Sequence, residues 1–348
     1  MSLQTLRRHR SAGTLALLAA LALGIAGGML NIVPVTSQGL SLEAQRAPGD
    51  VDTTNPWDAI WNGAPRQDVP LTPQNVTPPF GGGTVKTVTV RALHDGERIY
   101  LLLEWADPEA NDTVNGYDEW GDAAAVQFPS QAGTQPIYTM GNRDGGVNIW
   151  QWKAVWQADI ERGFITGLDL YPDTVSDLYP NTGDWALSTE DTLWRPAEYV
   201  GNPLAQRHHD APVENLVALG YGTLTTSDVQ NVDGIGAWQG GKWRALFVRD
   251  FTATGDGLAQ FAVGDTTSVA FAVWDGGAGE RDGIKSVANW IDLTIGTQTA
   301  PIIEDGGGDK TDLAMWTLVI VLVIGVLAAV GASAYVLRRG SSPPSAAA

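Results

Sequence analysis

The chain has 348 residues, no cysteine, 14 tryptophans and a formal net charge of −18. Without cysteine it forms no disulfide, carries no Fe–S cluster of its own and cannot attach a c-type haem through thioethers. Between the flanks lie 15 basic and 38 acidic side chains, a balance of −23, which repels nucleic acid and anionic headgroups and favours a basic soluble partner; solubility alone also accounts for it.

In chain order, residues 1–48 read as an export signal or an N-terminal membrane anchor. Arg7, Arg8 and Arg10 precede an apolar run centred on Leu15–Ile25, and no charge interrupts Ser11 to Leu42. Cleavage, and the choice between the general and twin-arginine export routes, stay open. Residues 49–300 form the main domain and 301–312 a Gly-rich acidic linker. Residues 313–337 are an apolar run of membrane length, and 338–348 a tail that begins with Arg338 and Arg339. The positive-inside rule puts that tail in the cytoplasm and the main domain on the outer side of the cell membrane.

Within the domain, alternation predicts strands at 86–92, 98–105, 123–129, 147–156, 243–249 and 268–274. The first two form a hairpin through His94-Asp95-Gly96-Glu97, which leaves His94 exposed in a turn. Residues 212–216 read as a short helical turn. Many short strands with Gly-rich turns predict an all-β fold, an antiparallel β-sandwich of two packed sheets.

Met140 is the sole methionine between the two apolar runs. A lone thioether beside a Gly turn and an aromatic strand is a candidate axial ligand to haem iron; the alternative is a core gap-filler. His208 and His209 are adjacent, so in an extended segment only one could reach a common iron. Trp150, Trp152 and Trp156 fall at even spacing, which on a strand gives one face: core, or the wall of a haem edge. Arg143 and Lys153 are candidate partners for propionates.

Several segments together resemble the haem-b-binding γ subunits of molybdoenzymes of the type II dimethyl-sulfoxide-reductase family, which includes ethylbenzene, dimethyl sulfide, selenate, chlorate and some nitrate-converting enzymes. They are Ala92–Tyr100, Met140-Gly141 running into Asn148–Ala154, Gly220–Thr225, and Phe271–Gly276 continuing through Glu280–Trp290. The resemblance spans roughly Trp57 to Trp290 and implies a β-sandwich holding one non-covalent haem b. It implies a methionine ligand, matching Met140, and a lysine ligand, for which Lys285 stands in the family-like segment. Some members are assigned a histidine instead, which keeps His208 and His209 as alternatives.

The resemblance also implies a non-catalytic electron-transfer subunit. Its partners would be an Fe–S (β) subunit, a molybdopterin (α) subunit, and a soluble cytochrome or quinone-linked carrier at the membrane. A Trp-rich sandwich without haem, acting as a carbohydrate-binding module, is the competing reading. Hydrolase signatures such as Gly-x-Ser-x-Gly and His-Glu-x-x-His are absent.

Overall fold

Period-two alternation of apolar residues organises the chain in the computed structural model, which describes residues 39–173, 197 and 200–303. The strands are β1 (Ser41–Arg46), β2 (Arg66–Pro70), β3 (Thr72–Pro73), β4 (Thr87–His94), β5 (Arg98–Ala106), β6 (Ala123–Pro129), β7 (Val147–Lys153), β8 (Val213–Ala218), β9 (Thr225–Thr226), β10 (Asp233–Trp238), β11 (Lys242–Asp250), β12 (Thr266–Trp274), β13 (Ser286–Val287) and β14 (Ile291–Thr299). One helix of note, α1 (Ala154–Arg162), follows β7 directly.

Two separate antiparallel sheets were expected. The strands instead form one continuous mixed sheet in the order β10-β11-β5-β4-β1-β14-β12-β6-β7-β8-β9. β1 runs parallel to both its neighbours, β4 and β14. β12 joins the two halves: Thr266–Val269 pair with β14, and Ala270–Trp274 pair with β6. The halves face one another across a shared core, so the architecture is sandwich-like. Trp152 from one half meets Trp105 and Trp243 from the other, with ring centroids 6.1 and 4.9 Å apart. β1 lies within the stretch set aside as leader or anchor, yet occupies the middle of the sheet.

Three local expectations are corrected. Residues 147–156 are not one strand: β7 ends at Lys153, and the Ala154 amide bonds the Asp122 carbonyl (2.9 Å) as a run of good helix formers begins. Trp156 therefore leaves the strand face. Residues 212–216 are not helical; β8 forms there because it pairs with β7 over six residues. His94 ends β4 and is 1% exposed, its Nε2 2.8 Å from the Gly296 carbonyl oxygen.

The core also holds a cation. Arg249 is 2% exposed and has no carboxylate partner among the described residues. Its guanidinium donates to Asn148 Oδ1 (3.2 Å) and to the Ala259 carbonyl, and lies over Trp150, 4.8 Å from the ring centroid. Burial lowers its pKa to about 10 against the opposing pull of Asp250, so it stays charged at neutral pH. The two terminal apolar runs lie outside the described residues. Among the described residues, no helix is long and apolar enough to cross a membrane.

Candidate functional site

The outer face of β6, β7, β8 and the second half of β12 is the floor of a cavity of about 680 Å³, a size typical of small-molecule and cofactor sites. Alternation assigns the faces. Ala125, Gln127, Ile149, Gln151, Glu214 and Leu216 point into the cavity, while Ala124, Val126, Trp150, Trp152 and Val213 point into the core. The floor is apolar at its centre, where Ala125, Ile149, Leu216 and Trp274 form a cluster against which Met140 packs. Loops carrying Gln74–Pro79, Tyr138–Met140, Tyr221–Leu224 and Asp282–Lys285 supply the walls.

Met140 stands in one of these loops with φ of 69°, the left-handed region that a non-glycine residue enters at a cost of about 1–2 kcal/mol. Three contacts hold it there. The Gly141 amide bonds the Ile137 carbonyl (2.9 Å), the Met140 carbonyl accepts from the Gly220 amide (2.9 Å), and the Tyr138 carbonyl accepts from Gln127 Nε2 (2.7 Å). Gly141 continues the left-handed path, and a Cβ there would lie 2.7 Å from the Gly145 carbonyl oxygen. The loop thus holds one residue in an unfavourable conformation at the cavity wall, a pattern that accompanies functional sites.

Lys285 lines the same cavity, from the loop that precedes β13. Its Nζ lies 4.7 Å from the centroid of the Trp274 ring, and among the described residues it has no ion pair or hydrogen bond. Burial lowers its pKa to about 8, with Asp282 opposing. By accessible area the residue is half-buried, and it opens onto the cavity. About a tenth of such amines is neutral at pH 7, against far fewer for an ordinary lysine, and only that form can act as a donor.

The backbone behind Lys285 is fixed by Gly82 and Gln74, neither of which the sequence singled out. Gln74 is 3% exposed; its side-chain amide donates to the carbonyls of Thr77, Pro79 and Gly283, and its backbone amide donates to the Lys285 carbonyl (3.1 Å). Gly82 has φ of 86°, and a Cβ there would lie 2.4 Å from the backbone N, C and O of Lys285. Gly82→Ala is expected to push Lys285 out of place. Hydrogen exchange should show loosened amides in 282–288 while those of β4 and β5 stay protected; unchanged exchange in 282–288 would refute the coupling.

The other expected site residues scatter. Lys153 lines the cavity, but its ammonium pairs with Glu214 and lies 3.6 Å from the Trp156 ring centroid. Burial lowers its pKa and Glu214 opposes the shift. His209 stacks on Trp156 at 4.0 Å and His208 is exposed; neither is among the cavity-lining residues. Arg143 is exposed and also outside the lining. Trp150 is fully buried on the opposite face of β7, its Nε1 donating to Asn148 Oδ1 (3.1 Å). With Trp152 equally buried, these rings offer no platform to a sugar.

All the residues that line this cavity except Val287 and Ala288 fall within a family match that spans residues 58–286 of the chain. The chain belongs to the ethylbenzene dehydrogenase family. The resemblance to γ subunits drawn from the motifs agrees with its relatives. The chain is 26% identical, over 78% of its own length and 76% of the relative's, to a Haloferax mediterranei protein provisionally named a respiratory nitrate reductase heme subunit. It is 23% identical to the chlorate reductase γ subunit of Ideonella dechloratans, covering 70% of this chain and 80% of that one. It is 27% identical to the dimethylsulfide dehydrogenase γ subunit of Rhodovulum sulfidophilum, covering 74% and 78%. Among solved structures, a family 9 carbohydrate-binding module from Caldicellulosiruptor kristjanssonii in complex with glucose matches at 10% identity with a TM-score of 0.38, covering 76% of this chain and all of that one. That likeness is too low to carry an argument about ligands.

Proposed function

We propose that this member of the ethylbenzene dehydrogenase family is the γ subunit of a molybdenum oxidoreductase complex, that its cavity holds one haem b without covalent attachment, and that Met140 and Lys285 are the residues that would hold its iron. The observation that carries this reading is that Met140 and Lys285, far apart in sequence, line one cavity with an apolar floor. A neutral thioether and an unpaired amine of lowered pKa form a donor set suited to low-spin iron. His208 and His209 are the weaker candidates, because they lie off the cavity.

The haem, when bound, supplies one-electron chemistry. The chain's own residues bind and orient it. The left-handed loop presents the Met140 sulfur, and the Gln74 and Gly82 contacts fix the segment that carries Lys285. Ile149, Leu216 and Ala125 exclude water from the floor. Lys153, which lines the cavity from the end of β7, is a cation available to a propionate, and Glu214 competes for it. The function is then electron relay between an Fe–S subunit and a soluble cytochrome or quinone-linked carrier. The acidic surface steers a basic carrier toward the domain. The apolar run at 313–337 followed by Arg338 and Arg339 supports a membrane anchor with the domain outside the cytoplasm.

The test is a reduced-minus-oxidised spectrum of the purified full chain in detergent. Bands of a b-type haem, extractable into acid acetone, are expected in about one equivalent per chain. A chain that stays colourless after reconstitution with haem would sink the proposal.

A further inference from the structure

The cavity floor changes character along β7. Alternation sends Ile149, Gln151 and Lys153 to the cavity face in turn, about 7 Å from one to the next. β8 sets Leu216 opposite Ile149 and Glu214 opposite Gln151. Ile149 and Leu216 belong to the apolar cluster on which Met140 packs. The next outward positions of both strands, Gln151, Lys153 and Glu214, are polar.

Hydrogen bonding separates the polar side chains of this floor. Gln127 gives its side-chain amide to the Tyr138 carbonyl (2.7 Å). Glu214 accepts from Thr226 Oγ1 (2.6 Å) and from the Lys153 ammonium. The carboxamide of Gln151 bonds to none of the described residues, and it is half-buried with its polar atoms open to the cavity rather than sealed. An occupant that excluded solvent from the floor would leave this carboxamide unsatisfied unless the occupant itself brought a matching group, and an enclosed amide without a partner opposes binding. The rim of a haem is hydrocarbon except at its two neighbouring propionates, so the ring and the floor are divided in the same way.

We infer that Gln151 orients the cofactor: its Nε2 donates to a propionate beside the Lys153 ammonium, so the carboxylate edge of the ring enters at the Gln151–Lys153 end of β7 and the apolar edge lies over Ile149 and Leu216. This rests on the haem reading above and adds to it which edge of the ring takes which end of the floor. Glu214, directly across from Gln151, is the group on β7 and β8 that opposes a second carboxylate. Its own charge is matched by Lys153 and by the Thr226 hydroxyl. A neutral donor at position 151 offers a hydrogen bond to the propionate without drawing Glu214 away from Lys153, as a second ammonium there would.

The experiment titrates the cofactor-free full chain in detergent with haem and with haem dimethyl ester, whose propionates are methylated and uncharged, and follows the Soret band. Each porphyrin partitions into micelles equally for every variant, so the quantity read is the ratio of wild-type to variant affinity. Gln151→Leu should weaken haem by about tenfold or more, the scale of a hydrogen bond to a charged group, and the diester distinctly less. Glu214→Gln should tighten haem relative to the diester, because it removes the opposing carboxylate. The thermal midpoint of each cofactor-free variant shows that the fold is intact. Equal losses of both porphyrins in Gln151→Leu, no loss of either, or a Glu214→Gln chain that turns toward the diester would overturn the role of Gln151 and leave the haem reading standing. A wild-type chain that takes up neither porphyrin removes both.

Discussion

Met140→Leu is expected to remove the six-coordinate low-spin b-type spectrum and to weaken haem retention by about tenfold or more, the scale on which metal sites respond even to loss of an outer-shell partner. Leucine keeps the volume and the left-handed strain and deletes only the sulfur, so a folding defect is not expected. Lys285→Leu should also convert the spectrum, while stability at neutral pH stays equal or rises. The sign follows from the pKa. The folded value of about 8 lies below the usual lysine value of about 10.4, so the unfolded chain binds more protons between those limits. Stability therefore increases as pH rises from about 8 to about 10.4, and below about 8 the buried ammonium carries its full penalty. Leucine abolishes that slope. If both variants keep the wild-type spectrum, the ligand assignment is wrong, and His209→Ala becomes the next measurement.

Trp152→Ala is expected to cost about 3–5 kcal/mol of stability, the range for truncating a fully buried tryptophan. The side chain is 0% exposed, packs on Trp105 and Trp243, and donates from Nε1 to Gln157 Oε1 (2.8 Å). The opposing half is shaped to it: a Cβ on Gly236 would lie 2.1 Å from its ring. Alanine would leave a void between the halves and an acceptor on α1 without its indole donor. Urea unfolding of the wild type and variant under the same conditions measures it, and a loss below about 1 kcal/mol would mean the halves close over the gap.

The strands legible in the sequence are short runs rich in apolar and β-branched residues with turn or proline signals near their ends. Residues 123–129 match β6 at both boundaries, and β4, β5, β11 and β12 are found within a residue or two. β1 was missed because Ser41–Arg46 adjoins a long uncharged stretch and looks like its margin. Its place is set by parallel partners near residues 92 and 292, contacts that no local pattern reveals. The β7–α1 junction was missed for a similar reason: even spacing of tryptophans reads as one strand until a distant carbonyl, that of Asp122, caps the change. In the cavity, Met140 and Lys285 were visible as unusual residues within motifs, and Lys153 as a charge. Gln74 and Gly82 were not, because their role is to bond and press against a segment some two hundred residues away.

Arg249 bears on the whole molecule's electrical balance. An acidic exterior makes the domain an inhospitable place for additional negative charge, and with the proposed haem in the cavity every electron it took up would add one unit of it. The guanidinium is a permanent positive charge held on the inner side of the very strand whose outer residues, Ile149 and Gln151, form the cavity floor. Between them lies the buried strand β7, out of reach of bulk water, where fields are screened less than across water. The interior would thus offset locally the repulsion that the surface imposes globally, and the reduced state of the proposed haem would gain an attraction that salt in the surrounding medium does little to weaken.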